Sequence, residues 1–488
     1  MKGETKMIQC KKEYLIEEKN INSLVTQAKK VLNHRKMLYN RYVGKKRTEV
    51  DVPLEFYSTN IVSGYFGGKA PEYSIKQENN KKKIEIIKNF FNKVIGKNTN
   101  VEEFQLLIDY IRDYNDDSSF FYDLVKDYFM TGACYGLTYE TEDNEIVYTH
   151  ISSLQCVAIY DYSAPLQKIG LLRVWQELDN DGFNCNMVEI ITNDSKFYYK
   201  NSKLQPNEYK LDKDMSEEIA WKLTPAFAVE NVDNLAIFEP VISLIDSYQQ
   251  IIENNRNIFQ YNDDAKLMIT GYRPANEMFI QDPDNPENNI INPERIKEDE
   301  IYLKSKVFYT DDTTGKIEWI IKNINDTASE NHKKTLMELI LMTICVPNVT
   351  DTGFTNADNS SALEKKFFPL EQAIIQADKQ FKKELLAMWE NIVDRINLKK
   401  STHFDFRDIQ VNLKRNMPTE KQEVVNMALQ LRQLLSDETC ISMLPFDIDV
   451  TSEKQKKEQE TEDNIMNNFN KIINQNGNQN NDKELNKE

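Results

Sequence analysis

The residues that could carry chemistry in this 488-residue chain are few, and their spacing does not suit them to it. Gly67-Gly68-Lys69 invites comparison with a phosphate loop, in which backbone N–H groups ahead of a helix cradle phosphate oxygens. Ser63 stands where the first Gly belongs, Ala70 replaces the hydroxyl residue, and Pro71 argues against a helix opening there, so a turn after a helix is the better reading. The histidines, His34, His150, His332 and His403, lack metal-ligand spacing. There is no His-Glu-x-x-His, no serine nucleophile elbow and no Cys with His in suggestive context. Carboxylates cluster at Asp116-Asp117, at Asp263-Asp264 and at Asp447 with Asp449, and a two-metal nuclease could use such pairs. In a chain with 78 acidic residues they read as turns and solvated faces. No catalytic residue, metal or cofactor is expected.

Charge narrows the partners. Lys and Arg number 61, so the formal net charge is −17, which disfavours general electrostatic binding to nucleic acid or anionic membrane. The six cysteines are widely spaced without a Cys-x-x-Cys pair, a pattern of reduced thiols. Residues 1–14 are charged and lack a signal-peptide core, and no window approaches the roughly 20 apolar residues that span a bilayer. A cytosolic protein with no membrane partner is expected.

The elements that would position any working residue centre on 326–400. A capping box at Thr327 and Glu330 opens a helix through Leu336, Leu339, Ile340 and Ile344, and Pro347 ends it. A polar loop follows: Asn348, Thr350, Asp351, Thr352, Gly353, Phe354, Thr355 and Asn356 are its main residues, and it runs to Asn359. Helix resumes at Ser360 or Ser361 and carries Phe367, Leu370, Ile374, Phe381, Leu385, Trp389 and Ile392 at spacings of three, four or seven. Straight, residues 361–398 would extend about 57 Å, and Pro369 is expected to kink them. Between Lys334 and Lys365 there is no Lys or Arg, whereas Glu338, Asp351, Asp358 and Glu364 are acidic. Affinity for nucleic acid comes chiefly from Lys and Arg displacing counterions, so this loop is built not to hold a polyanion. Lys333-Lys334 and Lys365-Lys366 flank it, as tunnel lining or as surface charge.

Elsewhere the pattern is α+β and mainly helical. Helices are expected over 8–45, after Pro53, over 84–95 and over 101–131, where Gly132 stops the run. Strands are expected over 135–141, 146–150, 155–160, 169–178, 187–192 and 196–200, with a hairpin turn at Asp181-Gly182. A helix from Pro240 to about 264 carries Leu244, Ile245, Tyr248 and Ile251 on one broad face. Residues 265–323 form an insertion of strands (267–270, 302–309, 316–321) and Pro-rich turns. After the long helix, 404–413 is strand-like, Pro418 begins another helix, and the last residues are compositionally disordered.

Taken together these segments resemble the portal proteins of tailed bacteriophages, in particular the type found in long-tailed phages of Gram-positive bacteria. The residues that carry the resemblance are Val62-Ser63-Gly64-Tyr65-Phe66-Gly67-Gly68-Lys69, Glu239-Pro240-Val241-Ile242 and Ile245-Asp246-Ser247-Tyr248. Asn359-Ser360-Ser361-Ala362-Leu363, Arg415-Asn416-Met417-Pro418 and Leu435-Ser436-Asp437-Glu438-Thr439 complete it, in order over roughly 50–460. Ser361 is a departure, since the family often has Gly there. The resemblance implies a wing (1–239, with 360–416 as a long kinked helix and return strand), stem helices (240–264 and 326–346) and a clip (265–325). It also implies a tunnel loop facing DNA (347–359), a crown (417–465) and a disordered tail (466–488). It further implies a ring of about twelve copies at one capsid vertex, through which double-stranded DNA passes during packaging and ejection. The expected partners are the terminase large subunit on the clip, head-completion or adaptor proteins and the tail that replace it, and the major capsid and scaffolding proteins.

The residues agree on grounds of their own. A closed ring needs heterologous interfaces, and helices with broad apolar arcs can bury one side at home and another on a neighbour. Phe354 could touch the DNA backbone, meet a neighbouring loop or pack the loop base. Another head-assembly protein is the alternative, and a metal-dependent nuclease the third reading.

Overall fold

The computed structural model describes residues 7–44, 50–76, 101–178, 184–202, 205–231, 235–263, 266–271, 276–305, 307–310, 315–320, 326–349, 360–417, 421–432, 434–435, 437–442, 444 and 456–457. They fall into two units, Met1–Asn348 with Phe367–Asn416, and Val349–Lys366 with Met417–Glu488. The expected helix 84–95, the Asp181-Gly182 turn, the loop residues from Thr350 to Asn359 and the tail 466–488 lie outside the described residues.

The first unit is built on a six-stranded sheet. Its strands are β1 (Ile8–Gln9), β5 (Cys156–Tyr160), β6 (Lys168–Leu178), β7 (Asn184–Ile191), β8 (Ser195–Ser202) and β9 (Gln205–Glu218), in the order β1-β5-β6-β7-β8-β9. β1 pairs with β5 in parallel and the others are antiparallel. Side chains alternate across a strand, and both faces are covered. Val157, Ile159, Leu172, Val188 and Ile190 meet Leu15 of α1 (Lys12–Ile16) and Ile21, Leu24, Val25 and Ala28 of α2 (Glu18–Tyr42). Cys156, Ala158, Leu171 and Ile191 face the other way, onto Ala133 and Tyr135 of β3 (Ala133–Glu140) and Ala226 and Ala228 of β10 (Ala226–Glu230). With β4 (Ile146–Ile151), these form a second sheet, β10-β3-β4. The helix-prone segment 8–45 is therefore a strand and two helices, because Ile8 and Gln9 find a sheet edge at Ile159 and Tyr160.

Three helices carry the second core: α3 (Leu54–Gly67), α5 (Asp117–Thr131) and the 41-residue α9 (Ser360–Lys400). Phe381 of α9 is fully buried, edge-on to Phe66 at 5.5 Å, Phe121 at 5.8 Å and Tyr128 at 5.4 Å. Gly132, at φ +82, closes α5 by donating its N–H to Tyr128 O, the left-handed ending glycine supplies most easily. A small strand pair, β2 (Glu72–Ile75) with β16 (Ile409–Asn412), lies beside α4 (Val101–Tyr114), where Phe104 stacks on Phe404 at 4.5 Å. β2 was not expected, and the strand read over 404–413 begins with a turn of 3-10 helix at Phe406–Asp408. Four residues bounded by Pro71 and Lys76 are too few to show alternation.

α6 (Ile242–Asp263) and α8 (Asp326–Thr343) pack along each other, joined by Asn255 Nδ2 donating to Ser329 Oγ at 2.9 Å. Between them come β11 (Lys266–Thr270), the hairpin β12 (Phe279–Gln281) and β13 (Asn289–Ile291), α7 (Pro293–Lys304), β14 (Val307–Thr310) and β15 (Lys316–Ile320). α7 corrects the reading of 293–304 as turn and strand. Pro293 occupies the first helical position, where a missing N–H costs nothing, and the Asn292 side chain accepts from Glu294 N at 3.0 Å. The second unit holds α10 (Lys421–Leu431) and α11 (Asp437–Ser442), with Ala428 and Cys440 buried.

The glycine pair at 67–68 is explained by packing. A Cβ on Gly68 would stand 2.3 Å from Gly64 O and 2.5 Å from Asn416 Nδ2, and one on Gly67 2.9 Å from Val125 Cβ. Gly64, one turn earlier, has nothing within 4 Å of such an atom. Gly68→Ala should therefore cost about 1–3 kcal/mol through overpacking, while Gly64→Ala should stabilise by about 0.5–1 kcal/mol as a helical Gly-to-Ala change. Denaturant midpoints of the two variants check the opposite signs.

Candidate functional site

The candidate site is the anchorage of the 348–359 loop, whose two flanks both end on α3. On the N-terminal side α8 stops at Thr343, Cys345 takes a left-handed φ of +57, and Val346 N returns to Leu341 O at 3.0 Å. Ile344 and Val346 are buried, and Tyr57 of α3 donates its hydroxyl to Pro347 O at 3.0 Å. On the C-terminal side Phe367 of α9 stacks on Tyr65 of α3 at 4.9 Å with the rings 15° apart. Tyr57 and Tyr65 are eight residues apart, two turns and a little more, so one helix fixes both ends.

A charged tie holds α9 to this helix. Arg415 donates Nε to Glu371 Oε2 and Nη2 to Glu371 Oε1, both at 2.9 Å, and Nη2 also to Asp378 Oδ1 at 2.9 Å. Its guanidinium lies over the Phe66 ring at 4.7 Å, and Tyr65 donates its hydroxyl to Glu371 Oε2 at 3.0 Å. Asn416 N donates to Tyr65 O at 2.9 Å and packs where Gly68 lacks a Cβ. Burial alone would lower the Arg415 pKa, but hydrogen bonds and charge from Glu371 and Asp378 outweigh it and hold the cation. Three sequence segments far apart in the chain, 62–69, 371–378 and 415–416, thus meet at one point.

Of the expected site residues, Asn348 is half-buried, while Thr350, Asp351, Thr352, Gly353, Phe354, Thr355 and Asn356 lie outside the described residues. Leu244, Tyr248 and Ile251 are half-buried on α6, Leu336 and Ile340 are buried on α8, and Leu339 is exposed. Pro369 lies exposed inside α9, which continues on both sides of it. In the sequence Arg415 stands in a motif with no evident partner. Glu371 and Asp378, seven apart on one helical face, were the available signal. Arg35 was also missed: it occupies a core position in the α2 stripe, fully buried, donating to Cys156 O at 2.8 Å and Tyr135 Oη at 2.9 Å.

The clusters that might have been catalytic are held otherwise. Asp117 is buried beneath Tyr148 Oη at 2.9 Å, and burial raises its pKa, with the Tyr148 hydrogen bond and Arg112 opposing. Ser153, His150 and Asp127 meet, but both Ser153 Oγ (2.7 Å) and His150 Nε2 (3.1 Å) bond the carboxylate. A serine nucleophile needs the imidazole between the other two, so this arrangement does not activate Ser153. Asp264, Asp447 and Asp449 lie outside the described residues, among which no group of three or more His, Cys, Asp or Glu side chains could hold a metal ion. No helix among the described residues is long and apolar enough to cross a membrane.

Comparison with known proteins assigns the class. A model of the family "phage portal protein, SPP1 Gp6-like" matches residues 5–467, nearly the whole chain. The protein belongs to that family and is a portal subunit, with the mainly helical α+β fold described above. Among solved structures, a chain in the neck of an empty GTA particle shares 10% identity over 81% of this chain and 90% of its own, with a TM-score of 0.34. A chain in the virion of a native gene transfer agent particle shares 10% over 84% and 93%, with a TM-score of 0.36. No curated protein matches the chain.

Replacing Arg415 by Ala leaves Glu371 without its cation and Asp378 with Lys382 alone, at 2.8 Å, and should destabilise the first unit by about 2–4 kcal/mol. Arg415→Lys, unable to span both carboxylates, should recover less than half of that loss in denaturant unfolding. Thiol reactivity gives an independent check. Burial pushes the Cys10 thiol up to about 11 and the Cys134 and Cys156 thiols higher still. At pH 8 these three stay protonated and should resist a maleimide, whereas half-buried Cys185 and Cys345 should label first by peptide mass spectrometry.

Proposed function

We propose that this portal subunit assembles with about eleven others into a ring at one capsid vertex, and that double-stranded DNA enters and leaves the head through its centre. The family match over residues 5–467 carries this reading. In it, 240–264 and 326–346 are the stem, 265–325 the clip and 417–465 the crown. Residues 1–239 with 360–416 form the wing, and 347–359 is the loop that lines the tunnel. The terminase large subunit docks on the clip during packaging, and head-completion or adaptor proteins and the tail follow it. Major capsid and scaffolding proteins surround the wing, and assembly takes place in the bacterial host cytoplasm before the subunit becomes part of the virion.

The charge pattern supports a conduit. DNA that must advance is slowed by every phosphate neutralised, and the stretch from Lys334 to Lys365 contains no Lys or Arg between them. Both flanks of the loop are held on α3, through Tyr57 with Pro347 and Tyr65 with Phe367. The protein acts here as structure, not as an enzyme.

Deleting residues 350–355 tests the assignment, because Pro347 and Phe367 keep their contacts with α3. Rings should still form, and DNA packaging in a reconstituted or in vivo assay should fail. Loss of the ring itself would make the loop a structural strut. Purified protein with Mg²⁺ or Mn²⁺ should leave plasmid DNA intact. Cleavage abolished by Asp447→Asn with Asp449→Asn would instead establish a nuclease.

A further inference from the structure

Helix α4 is apolar on two opposite sides. Phe104, Ile108 and Ile111 are buried, whereas Leu106, Tyr110 and Tyr114, spaced by four, are 71%, 53% and 53% exposed. At about 100° per residue these three fall within one quadrant on the far side of the helix, and Tyr110 stacks on Tyr114 at 6.2 Å. The same side carries Glu102, Glu103, Asp109 and Asp113, all but Asp109 exposed. Asp109 reaches Arg112 of the same helix at 3.5 Å, and Glu102, Glu103 and Asp113 have no ion pair among the described residues. A surface helix ordinarily puts charge alone opposite its core side, so a row of one leucine and two tyrosines there needs a cover.

The carboxylates repel DNA and anionic lipid, and the chemistry that fits is a helix whose apolar row is flanked by cations. The chain supplies such a sequence directly ahead of α4. Residues 81–97, outside the described residues, hold six lysines against one acidic residue, Glu85. Ile84, Ile87, Phe91 and Ile95 follow spacings of three and four, and Lys81 and Lys88 fall next to that row on a helical projection. Between the two stretches stand Gly96, Asn98, Thr99 and Asn100, residue types that end one helix and cap the next. A free partner would have to compete with this tethered segment, whose effective concentration is on the order of millimolar.

We infer that the outward face of α4 is the seat of residues 81–97 of the same chain, which fold back on it as the other arm of a helical hairpin. In that antiparallel arrangement Phe91 comes beside Leu106, Ile84 and Ile87 beside Tyr110 and Tyr114, and Lys88 opposite Asp109 and Asp113. The inference does not depend on the ring. It closes a surface that would otherwise be open to any basic helix.

A carbodiimide, which joins an amine to a carboxylate in contact with it, tests this on full-length protein when isotopically light and heavy preparations are mixed before assembly. In peptide mass spectrometry Lys88 should be linked to Asp109 or Asp113 of its own isotope class. Hydrogen–deuterium exchange gives a second readout. Leu106→Asp with Tyr110→Asp should speed exchange of the 84–95 amides by about tenfold or more and leave those of β5, β6 and β7 unchanged. Both replaced side chains are exposed, so the variant keeps the buried row of Phe104, Ile108 and Ile111. Absence of the Lys88 link, Lys88 links that join heavy to light chains, or 84–95 amides that exchange as fast in the wild type as in the variant overturns the inference.

Discussion

One cation fixes the architecture of the first unit. Glu371 and Asp378 lie two helical turns apart on the same face of α9, with Lys382 bonded to Asp378 at 2.8 Å. Arg415, arriving from the strand that follows, bonds both and rests on Phe66. A charge pair partly withdrawn from water gains from every further hydrogen bond to it, and here Tyr65 supplies one more donor to Glu371. The tie sets α9 in register against α3. That register places Phe381 among Phe66, Phe121 and Tyr128, and brings Phe367 onto Tyr65. Through α3 it also reaches Pro347, the residue at which the loop begins.

The same body is layered around its sheet. The six-stranded sheet is covered on both faces, by α2 and by the β10-β3-β4 sheet, and Arg35 stitches the layers with bonds to Cys156 O and Tyr135 Oη. The helix pair α6 and α8 brackets the 266–320 module, among whose described residues only Asn292 is buried. A net charge of −17 fits a passage for a polyanion, since contact that does not hold is contact that does not have to be broken.

Much of this was legible in the chain. The apolar period of 361–398 gave α9, and Gly132 marked the end of α5 because only a residue tolerant of positive φ closes a helix in that way. The ordered motifs gave the family. What was hidden were features made by distant residues. β1 and β2 are short strands that exist because Ile159 and Val411 wait for them across the sheet. Arg35 and Arg415 look like surface cations until their carboxylate, phenol and carbonyl partners are brought together from more than one element. α7 was masked by Pro293, which reads as a turn residue yet serves equally well at a helix start. Gly67-Gly68 read as a turn after a helix, but the packing behind the pair, the backbone of Gly64 and the side chains of Val125 and Asn416, could be seen only in three dimensions.

A portal subunit of the kind proposed requires copies of this chain to surround an opening with residues 348–359 at its rim. Cryo-electron microscopy of the purified, assembled protein, with its rotational symmetry determined, is the most direct measurement. The expected result is a closed ring of about twelve subunits with density for 348–359 nearest the axis. A filament, or a closed ring with those residues on its outer surface, would contradict it.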